Sequence, residues 1–308
     1  MKTAYIDCTA YGHSVLKAHS ILDKIPGLHL HVGDPTATEL DALMKDTVGI
    51  INGHTIMDEA LLERYHALKT IVFLGTGAST YIDLSAAQAR GIDVLTVRGY
   101  GDRTIAEHAF ALMLSATRHI AVMDRELRRG IWRTPIGVEL AGKRIGIIGV
   151  GGVGKELVSM AHAFGMEVVV WNRSPVPDDL PCKQVELNEL ISTSDVISLH
   201  LALNDDTRGI IGKQQFALMK QTAILVNVGR GALVDETALI EALKTQRIAH
   251  AALDVFDIEP LPVDHELTTL ENVTLTAHAA FSSEETMKRL LTSGFDLLRQ
   301  ALDTPHAR

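Results

Sequence analysis

The chain contains little cysteine, with only Cys8 and Cys182 among 308 residues. Two cysteines are too few for a disulfide framework, and their separation does not match the ligand spacing of a zinc site. Histidine offers no metal site either, because His29 and His31 alternate along one predicted strand without a third ligand. We therefore predict no bound metal, and a reducing compartment, the cytoplasm.

Basic residues and long apolar runs are also scarce. The chain has 29 Lys and Arg against 38 Asp and Glu, a formal net charge of -9 and a pI near 5.8. This balance disfavours nucleic acids and anionic membranes as partners, although a local basic pocket for a small anion remains compatible with it. No run approaches the roughly 18 apolar residues of a membrane span, and the N-terminus becomes polar too early for a signal peptide.

Short apolar runs alternate with helical patterns in the first hundred residues. This alternation predicts a small, doubly wound parallel sheet. The predicted strands are 4–7, 28–32, 48–52, 70–74 and 93–97, and the predicted helices are 14–21, 37–44, 58–65 and 84–90. A long helical pattern at 104–118, which continues loosely to 128, then leads into a second domain.

The same alternation returns after residue 140 and predicts a second parallel sheet of the α/β class. Its strands are predicted at 144–148, 167–171, 196–199, 223–227, 251–254 and 273–275, and its helices at 153–164, 186–192, 213–218 and 236–243. A last helix at 283–302 has no strand after it and is free to return to the first domain. We therefore predict one domain from residues 1–98 plus 283–308, and another from residues 99–282.

A glycine-rich turn, G-V-G-G-V-G at 149–154, follows the predicted strand 144–148. It matches the pattern G-x-G-x-x-G, which holds a dinucleotide pyrophosphate between a strand and a helix. Gly149 permits the tight turn, Gly151 lets the pyrophosphate approach the backbone, and Gly154 lets the next helix pack closely. The free amides of that helix face the phosphate. A tight turn without a ligand is the alternative, and the strand–turn–helix context favours the dinucleotide.

The end of the next strand, at residues 172–174, bears on the choice of cofactor. An acidic residue there binds the ribose 2′-hydroxyl of NAD and repels a 2′-phosphate. This chain has Asn172, Arg173 and Ser174 instead. A guanidinium beside neutral hydrogen-bonding groups suits a phosphate. We predict NADP(H) in preference to NAD(H), the alternative being that Arg173 is only a solvated turn residue.

Four further polar residues lie at or after predicted strand ends. Arg230 follows the strand 223–227, Asp254 ends 251–254 and precedes Glu259, and His278 follows 273–275. Because ligands bind at the carboxyl ends of strands in an open parallel sheet, we expect all four to face one cleft with the dinucleotide. Alone, Arg230 is a surface charge, Glu259 a loop carboxylate before proline, and His278 one of fourteen histidines. Because these residues follow successive strands, the interpretation that all four face one cleft is favoured.

In this order, these motifs resemble the D-isomer-specific 2-hydroxyacid dehydrogenase family, in particular its glyoxylate and hydroxypyruvate reductases. The resemblance covers nearly the whole chain. It includes L-G-T-G-A at 74–78, followed by I-D-L at 82–84, similar to the family's substrate loop, and I-A-E-H at 105–108, similar to its linking helix. It implies a flavodoxin-like substrate domain, discontinuous in sequence, a Rossmann dinucleotide-binding domain, and a homodimer.

The resemblance also implies roles for single residues. Arg230 would bind the substrate's carboxylate and 2-oxygen, His278 would exchange a proton with the carbonyl oxygen, and Glu259 would hold the tautomer of His278. Gly77 and Ala78 would offer backbone amides to the substrate carboxylate. Phe281 would either wall the substrate pocket or pack in the core. The implied cofactor-binding set is Thr104, Gly149, Gly151, Gly152, Val153, Gly154, Asn172, Arg173, Ser174, Val228 and Asp254.

Several positions depart from the family pattern. Ala202 stands where proline usually follows His200 and Leu201, and Ala277 stands where proline usually precedes the histidine. The loop 77–83 is one residue longer than the common form, so the amides that meet the carboxylate stay open. His54, after the strand 48–52, is a further candidate to face the cleft.

These observations predict an NADPH-linked reductase of small 2-oxo acids such as glyoxylate or hydroxypyruvate, which would form D-2-hydroxy acids. The contrasting hypothesis is a non-enzymatic, dinucleotide-sensing protein like the C-terminal-binding corepressors, which share this scaffold. The chain shows no extra tails or linkers of that class, which disfavours the second hypothesis.

Overall fold

A computed structural model describes residues 1–303, which form two units. Unit 1 consists of Met1–Gly101 with the segment that starts at Ser282, and unit 2 is Asp102–Phe281. Each unit has its own fully parallel sheet, which confirms the predicted α/β class. Within residues 1–303, no helix is both long and apolar enough to cross a membrane.

Unit 1 has a five-stranded sheet in the order β2-β1-β3-β4-β5, the flavodoxin-like order. Its strands are β1 (Lys2–Cys8), β2 (His29–Val32), β3 (Thr47–Asn52), β4 (Thr70–Phe73) and β5 (Asp93–Thr96). Its helices are α1 (Ala10–Ala18), α2 (Ala37–Met44), α3 (Glu59–Arg64), α4 (Leu84–Ala89) and the terminal helix Glu284–Asp303. The predicted strands all form, and none of their ends differs from the prediction by more than two residues.

The first helix begins four residues earlier than predicted. Thr9 caps it, because its side-chain oxygen accepts a hydrogen bond from the amide of Gly12 at 3.0 Å. The helix ends at Ala18, and the rest of the predicted span leads into a separate 3-10 turn, Ile21–Lys24. The apolar pattern therefore predicted the helix but not its cap.

The terminal helix completes one of the two hydrophobic clusters of unit 1. Leu291, Phe295 and Leu298 are fully buried there, and the ring of Phe295 meets that of Tyr5 edge to face, with centroids 6.4 Å apart. An ion pair of 2.7 Å joins Asp296 to Lys24. Both ends of the chain thus contribute to the core of unit 1.

Unit 2 has a seven-stranded sheet in the order β12-β11-β10-β9-β6-β7-β8, in which sequence order reverses beside β6 as in Rossmann folds. Its strands are β6 (Arg144–Ile148), β7 (Glu167–Trp171), β8 (Lys183–Gln184), β9 (Val196–Leu199), β10 (Ile224–Asn227), β11 (His250–Leu253) and β12 (Val273–Leu275). Its helices are α5 (Asp102–Thr117), α6 (Ile120–Arg128), α7 (Gly152–Ala163), α8 (Leu187–Thr193), α9 (Lys213–Leu218) and α10 (Glu236–Lys244). The strand β8 was not predicted, because it has only two residues, both exposed.

Successive strand residues of unit 2 point into two separate hydrophobic clusters. Ile145 and Ile147 belong to the cluster that includes α5 and α7, whereas Ile148 belongs to the cluster with α9 and α10. The sheet is therefore covered on both faces, which explains its near-continuous apolar strands.

The helical pattern predicted at 104–118, with its continuation to 128, forms two separate helices, α5 and α6. His119 separates α5 from α6 and adopts a left-handed conformation, with φ of 54°. A left-handed residue cannot continue a right-handed helix, so the chain changes direction there. The helical spacing of apolar residues continues on both sides of His119, so it did not predict this break.

Candidate functional site

The glycine turn joins β6 to α7, and its residues Gly149 and Gly154 pack tightly against backbone atoms of the protein. Gly149 has φ of 97°, and a methyl group added to it would lie 2.7 Å from the carbonyl oxygen of His200. A methyl group at Gly154 would overlap the carbonyl oxygen of Gly149. At Gly151, by contrast, it would meet no described atom within 4 Å. The turn thus borders open space at the position where the pattern brings a pyrophosphate to the backbone, and these residues fit a dinucleotide.

The N-terminus of α7 follows this turn, with Gly152 and Val153 as its first residues. The amides of a first helical turn have no partner within the helix and can bind an anion. A side chain at Gly152 would overlap the carboxylate of Asp102, which begins α5. Burial raises the pKa of Asp102, and the nearby Glu156 raises it further.

The segment 172–174 is fastened to the glycine turn by Asn172. Its Oδ1 accepts from the amide of Val150 at 3.1 Å, and its Nδ2 donates to the carbonyl of Ser174 at 2.9 Å. Both hydrogen-bonding groups of the Asn172 side chain therefore have partners within the protein. Arg173 is exposed and forms no ion pair with an acidic group of residues 1–303. Its guanidinium is the cation that this segment leaves available.

His200 lies at the end of β9, beside the glycine turn, and its buried Nδ1 has no hydrogen-bond partner among the described residues. Burial lowers its pKa to about 4, and that of His250, also buried, to about 4. Since unfolding restores a pKa near 6.5, the unfolded chain binds more protons between these values. The stabilising effect of neutral imidazole is complete above pH 6.5 and is lost as the pH falls toward 4.

We expect acidification from pH 6.5 to 5 to cost on the order of 2 kcal/mol of unfolding free energy per buried histidine. Urea unfolding of the wild type and of His200→Gln at both pH values measures this cost. The variant should lose less stability on acidification than the wild type. Equal losses in the two proteins would show that His200 is not the group responsible.

The loop after β10 carries Arg230, and Asn227 holds its shape. The Nδ2 of Asn227 donates to the carbonyl of Arg230 at 2.9 Å, and its Oδ1 accepts from the amide of Gly229 at 3.0 Å. The Arg230 side chain is half-buried and turns back to donate from Nη1 to the carbonyl of Gly229 at 2.7 Å. Its other guanidinium donors form no hydrogen bond or ion pair within residues 1–303, so they can donate to an anion.

Gly231 brings the Arg230 loop against the loop that contains Glu259. A methyl group at Gly231 would overlap the backbone of Phe256, so only glycine permits this approach. The amide of Phe256 in turn donates to Oε1 of Glu259 at 2.9 Å. The structure thus brings these two predicted segments together through the backbone.

His278 and Glu259 form a direct hydrogen-bonded pair. The Nδ1 of His278 donates to Oε2 of Glu259 at 2.6 Å, and the two side chains are 39% and 33% exposed. This bond puts the proton of the neutral imidazole on Nδ1 and leaves Nε2 for exchange with another group. His278 itself is in the left-handed region, with φ of 49°. Phe281 meets its ring edge to face, with centroids 6.3 Å apart.

Asp254 lies beneath this pair rather than beside it, because its side chain is fully buried. It accepts hydrogen bonds from Thr276 Oγ1 at 2.6 Å and from the amides of Ala279 and Ala280 at 2.9 Å each. Burial raises its pKa, but hydrogen bonds from His108, Thr276 and the two amides outweigh burial, so the pKa lies below its ordinary value. The carboxylate therefore holds the segment that carries His278.

The remaining predicted residues occupy separate positions. Thr104 lies in the first turns of α5, and Val228 is buried after β10. Gly77 and Ala78 belong to unit 1, where a 3-10 turn starts at Ala78 after β4. In the same unit, Asp7 accepts from the amides of residues 53–55, and His54 contacts Asp34 at 2.6 Å through Nε2.

The hydrogen-bond network of His108 and Thr276 around Asp254 was not predicted from the sequence. His108 belonged only to the motif I-A-E-H, and no pattern indicated a role for Thr276. No local pattern connects positions 108, 254 and 276, because the network depends on the packing of α5 against β11 and β12.

Comparison with known proteins identifies the family to which unit 2 belongs. Residues 110–280, more than half of the chain and all within unit 2, match the family model described as D-isomer specific 2-hydroxyacid dehydrogenase, NAD binding domain.

Two curated relatives resemble the chain over most of its length. The glyoxylate reductase of Aeropyrum pernix is 40% identical over 246 residues, which are 76% of this chain and 73% of the relative. The D-3-phosphoglycerate dehydrogenase of Methanocaldococcus jannaschii is 37% identical over 291 residues. That match covers 92% of this chain but only 55% of the relative, so the chain spans about half of that relative's length.

Among solved structures, a glyoxylate reductase from Paecilomyes thermophila superposes with a TM-score of 0.85 at 31% identity. The superposition covers 99% of this chain and 96% of that one. The family resemblance predicted from the motifs is therefore confirmed: the chain belongs to the D-isomer specific 2-hydroxyacid dehydrogenase family, and unit 2 contains its NAD-binding domain.

Proposed function

We propose that the protein reduces a small 2-oxo acid of the glyoxylate or hydroxypyruvate type to the D-2-hydroxy acid, with NADPH as the preferred donor. The observation that carries the proposal is the His278–Glu259 pair, at 2.6 Å, beside a loop whose Arg230 has guanidinium donors available. The names of the relatives support the substrate class.

The proposed chemistry divides among three side chains. A bound nicotinamide supplies the hydride. Arg230 binds the substrate's carboxylate and 2-oxygen, since charge-assisted bonds from a planar guanidinium both orient and polarise. His278 donates a proton from Nε2 to the carbonyl oxygen as it becomes a hydroxyl, and accepts it in the reverse direction. Glu259 holds the imidazole and stabilises its protonated form.

The other predicted site residues keep their roles as parts of this proposal. Gly77 and Ala78 offer amides to the substrate carboxylate, and Phe281, which contacts the imidazole of His278, walls the substrate pocket. The cofactor set is Thr104, Gly149, Gly151, Gly152, Val153, Gly154, Asn172, Arg173, Ser174, Val228 and Asp254. Asp254, being fully buried, acts on the nicotinamide end through the segment 276–280 that it holds. Unit 1 is the substrate domain and unit 2 the dinucleotide-binding domain.

A panel of 2-oxo acids tests the activity. NADPH oxidation is followed at saturating glyoxylate, hydroxypyruvate, pyruvate and a longer 2-oxo acid, and the product's configuration is determined by chiral chromatography. We expect turnover of at least one small 2-oxo acid with a D product. A protein that binds NADPH with no turnover of any substrate would contradict the proposal.

The preference for NADPH depends on Arg173, because its exposed guanidinium has no acidic partner among the described residues. A charge-assisted contact to the 2′-phosphate contributes about 1.5 to 3 kcal/mol, so Arg173→Ala should raise the KM for NADPH by about 10- to 150-fold. The KM for NADH should change little. Steady-state kinetics with both cofactors measures this, and Arg208→Ala, another arginine of unit 2, serves as the control. A lower KM for NADH in the wild type would refute the preference.

We also propose that the protein is a cytoplasmic homodimer and that it binds no nucleic acid. The two cysteines are free, as suits a reducing compartment, and the net charge of -9 disfavours polyanions. Several large apolar side chains of α6 and the following segment are exposed, which supports a protein interface there. They are Ile120, Leu127, Ile131, Trp132 and Ile136.

A further inference from the structure

His108 is a partly buried histidine of unit 2 that has no assigned role in the proposed reaction. It lies on α5, with 25% of its side chain exposed. Its Nε2 is 3.0 Å from Oγ1 of Thr276 and 3.4 Å from Oδ1 of Asp254. Since Thr276 donates its own proton to Asp254 at 2.6 Å, its oxygen accepts the proton on Nε2 of His108.

The residues that His108 contacts hold the backbone on both sides of His278. Asp254 accepts from the amides of Ala279 and Ala280 through its side chain, and its carbonyl accepts from the amide of His278 at 2.8 Å. These bonds maintain His278 in its left-handed conformation, which non-glycine residues adopt at a cost. His108 joins this network from α5, whereas Asp254 and Thr276 follow the ends of β11 and β12.

We propose that His108 is a positioning residue for His278, acting through Thr276 and Asp254 on the segment 276–280. The inference rests on the proposed function, in which His278 exchanges the substrate proton. Without His108, the hydroxyl of Thr276 is free to rotate and the buried carboxylate loses a donor, so the backbone beside His278 is held less firmly. The imidazole then spends less time in contact with Glu259 and in line with the carbonyl oxygen.

The first test compares His108→Leu, Thr276→Val and the double variant. We expect each single change to lower kcat by about 10- to 100-fold with the Kd for NADPH within threefold of the wild type. The double variant should resemble the singles, because residues that act through one network give non-additive effects. His108→Gln, which keeps an N–H donor, should recover most of the lost kcat.

A histidine–threonine pair elsewhere in unit 2 provides the matched control. His250 on β11 contacts Oγ1 of Thr274 on β12 at 2.9 Å, and both are buried, but within residues 1–303 neither side chain has a hydrogen bond to Asp254. His250→Leu should therefore lower stability without lowering kcat. If His108→Leu behaves in the same way, or if the effects of His108→Leu and Thr276→Val simply add, His108 has only a structural role and the proposal is overturned.

A second measurement separates this inference from the proposed function. NMR of the Nδ1 proton of His278, in the wild type and in His108→Gln and His108→Leu, reports the hydrogen bond to Glu259 without any substrate. We expect this proton to exchange faster with solvent in His108→Leu, because the hydrogen bond is then formed for less of the time, and to exchange at a rate near that of the wild type in His108→Gln. An unchanged exchange rate in the leucine variant overturns the positioning role. A wild type that reduces no 2-oxo acid would instead overturn the proposed function.

Discussion

Replacing His278 by alanine is expected to lower kcat by about 10²- to 10⁴-fold, the usual contribution of a general acid–base residue. The proposed proton transfer uses Nε2, which the 2.6 Å bond from Nδ1 to Glu259 leaves available. The Kd for NADPH should remain within a few-fold of the wild type, because the glycine turn and the 172–174 segment are separate from this side chain. Steady-state kinetics and cofactor fluorescence titration measure the two quantities.

The chain offers a matched control for this variant. His265 contacts Glu236 at 3.1 Å through Nε2 and is likewise part of unit 2, but within residues 1–303 it has no hydrogen bond to Arg230, Glu259 or His278. His265→Ala should leave kcat nearly unchanged. Retention of full turnover by His278→Ala would exclude the proposed acid–base role, and the dinucleotide-sensing hypothesis would then gain support.

Replacing Arg230 by glutamine is expected to produce the second large effect, a fall in kcat/KM of about 10- to 150-fold. A hydrogen bond to a charged group contributes roughly 1.5 to 3 kcal/mol, and the neutral amide of glutamine provides only part of it. Lysine should restore little, because a single ammonium cannot make the paired contacts of a guanidinium.

The measurement for Arg230 is the dependence of rate on substrate concentration, with NADPH saturating. Circular dichroism checks that the variant folds, since the side chain also donates to the carbonyl of Gly229. Arg247→Gln, another arginine of unit 2 that donates to a backbone carbonyl, is the matched control and should not affect kcat/KM. A change in stability alone, with kcat/KM preserved, would rule out substrate binding by Arg230.

Much of the fold was predictable because most strands of the two parallel sheets are buried on both faces. Such strands appear in the sequence as short apolar runs, and β6, β7, β9 and β12 have the bounds that the runs predicted. The break at His119 was not predictable, since a left-handed histidine leaves no mark on hydrophobic spacing. The two-residue strand β8 lacks the apolar pattern altogether.

The parallel topology of the sheet made it predictable that the candidate site residues lie at one edge of the sheet, after the strand ends. Arg230, Asp254 and His278 follow neighbouring parallel strands, and parallel strands end on one edge of the sheet. Sequence could not show that Asp254 is fully buried and satisfied by four donors, because three of those donors come from the segment 276–280 and one from α5. Their roles in catalysis remain predictions until the variants are measured.

Unit 1 is built from two segments that are separated in sequence by all of unit 2, which has a consequence for synthesis on the ribosome. Unit 2 is one continuous segment, so every strand of its sheet has been made before the helix Glu284–Asp303 emerges. Unit 1 must wait for that helix, because Phe295 and Leu298 complete the hydrophobic cluster that contains Tyr5. The nascent N-terminal segment therefore exposes an unfilled apolar face while unit 2 is being made, the condition under which chaperones bind newly made chains.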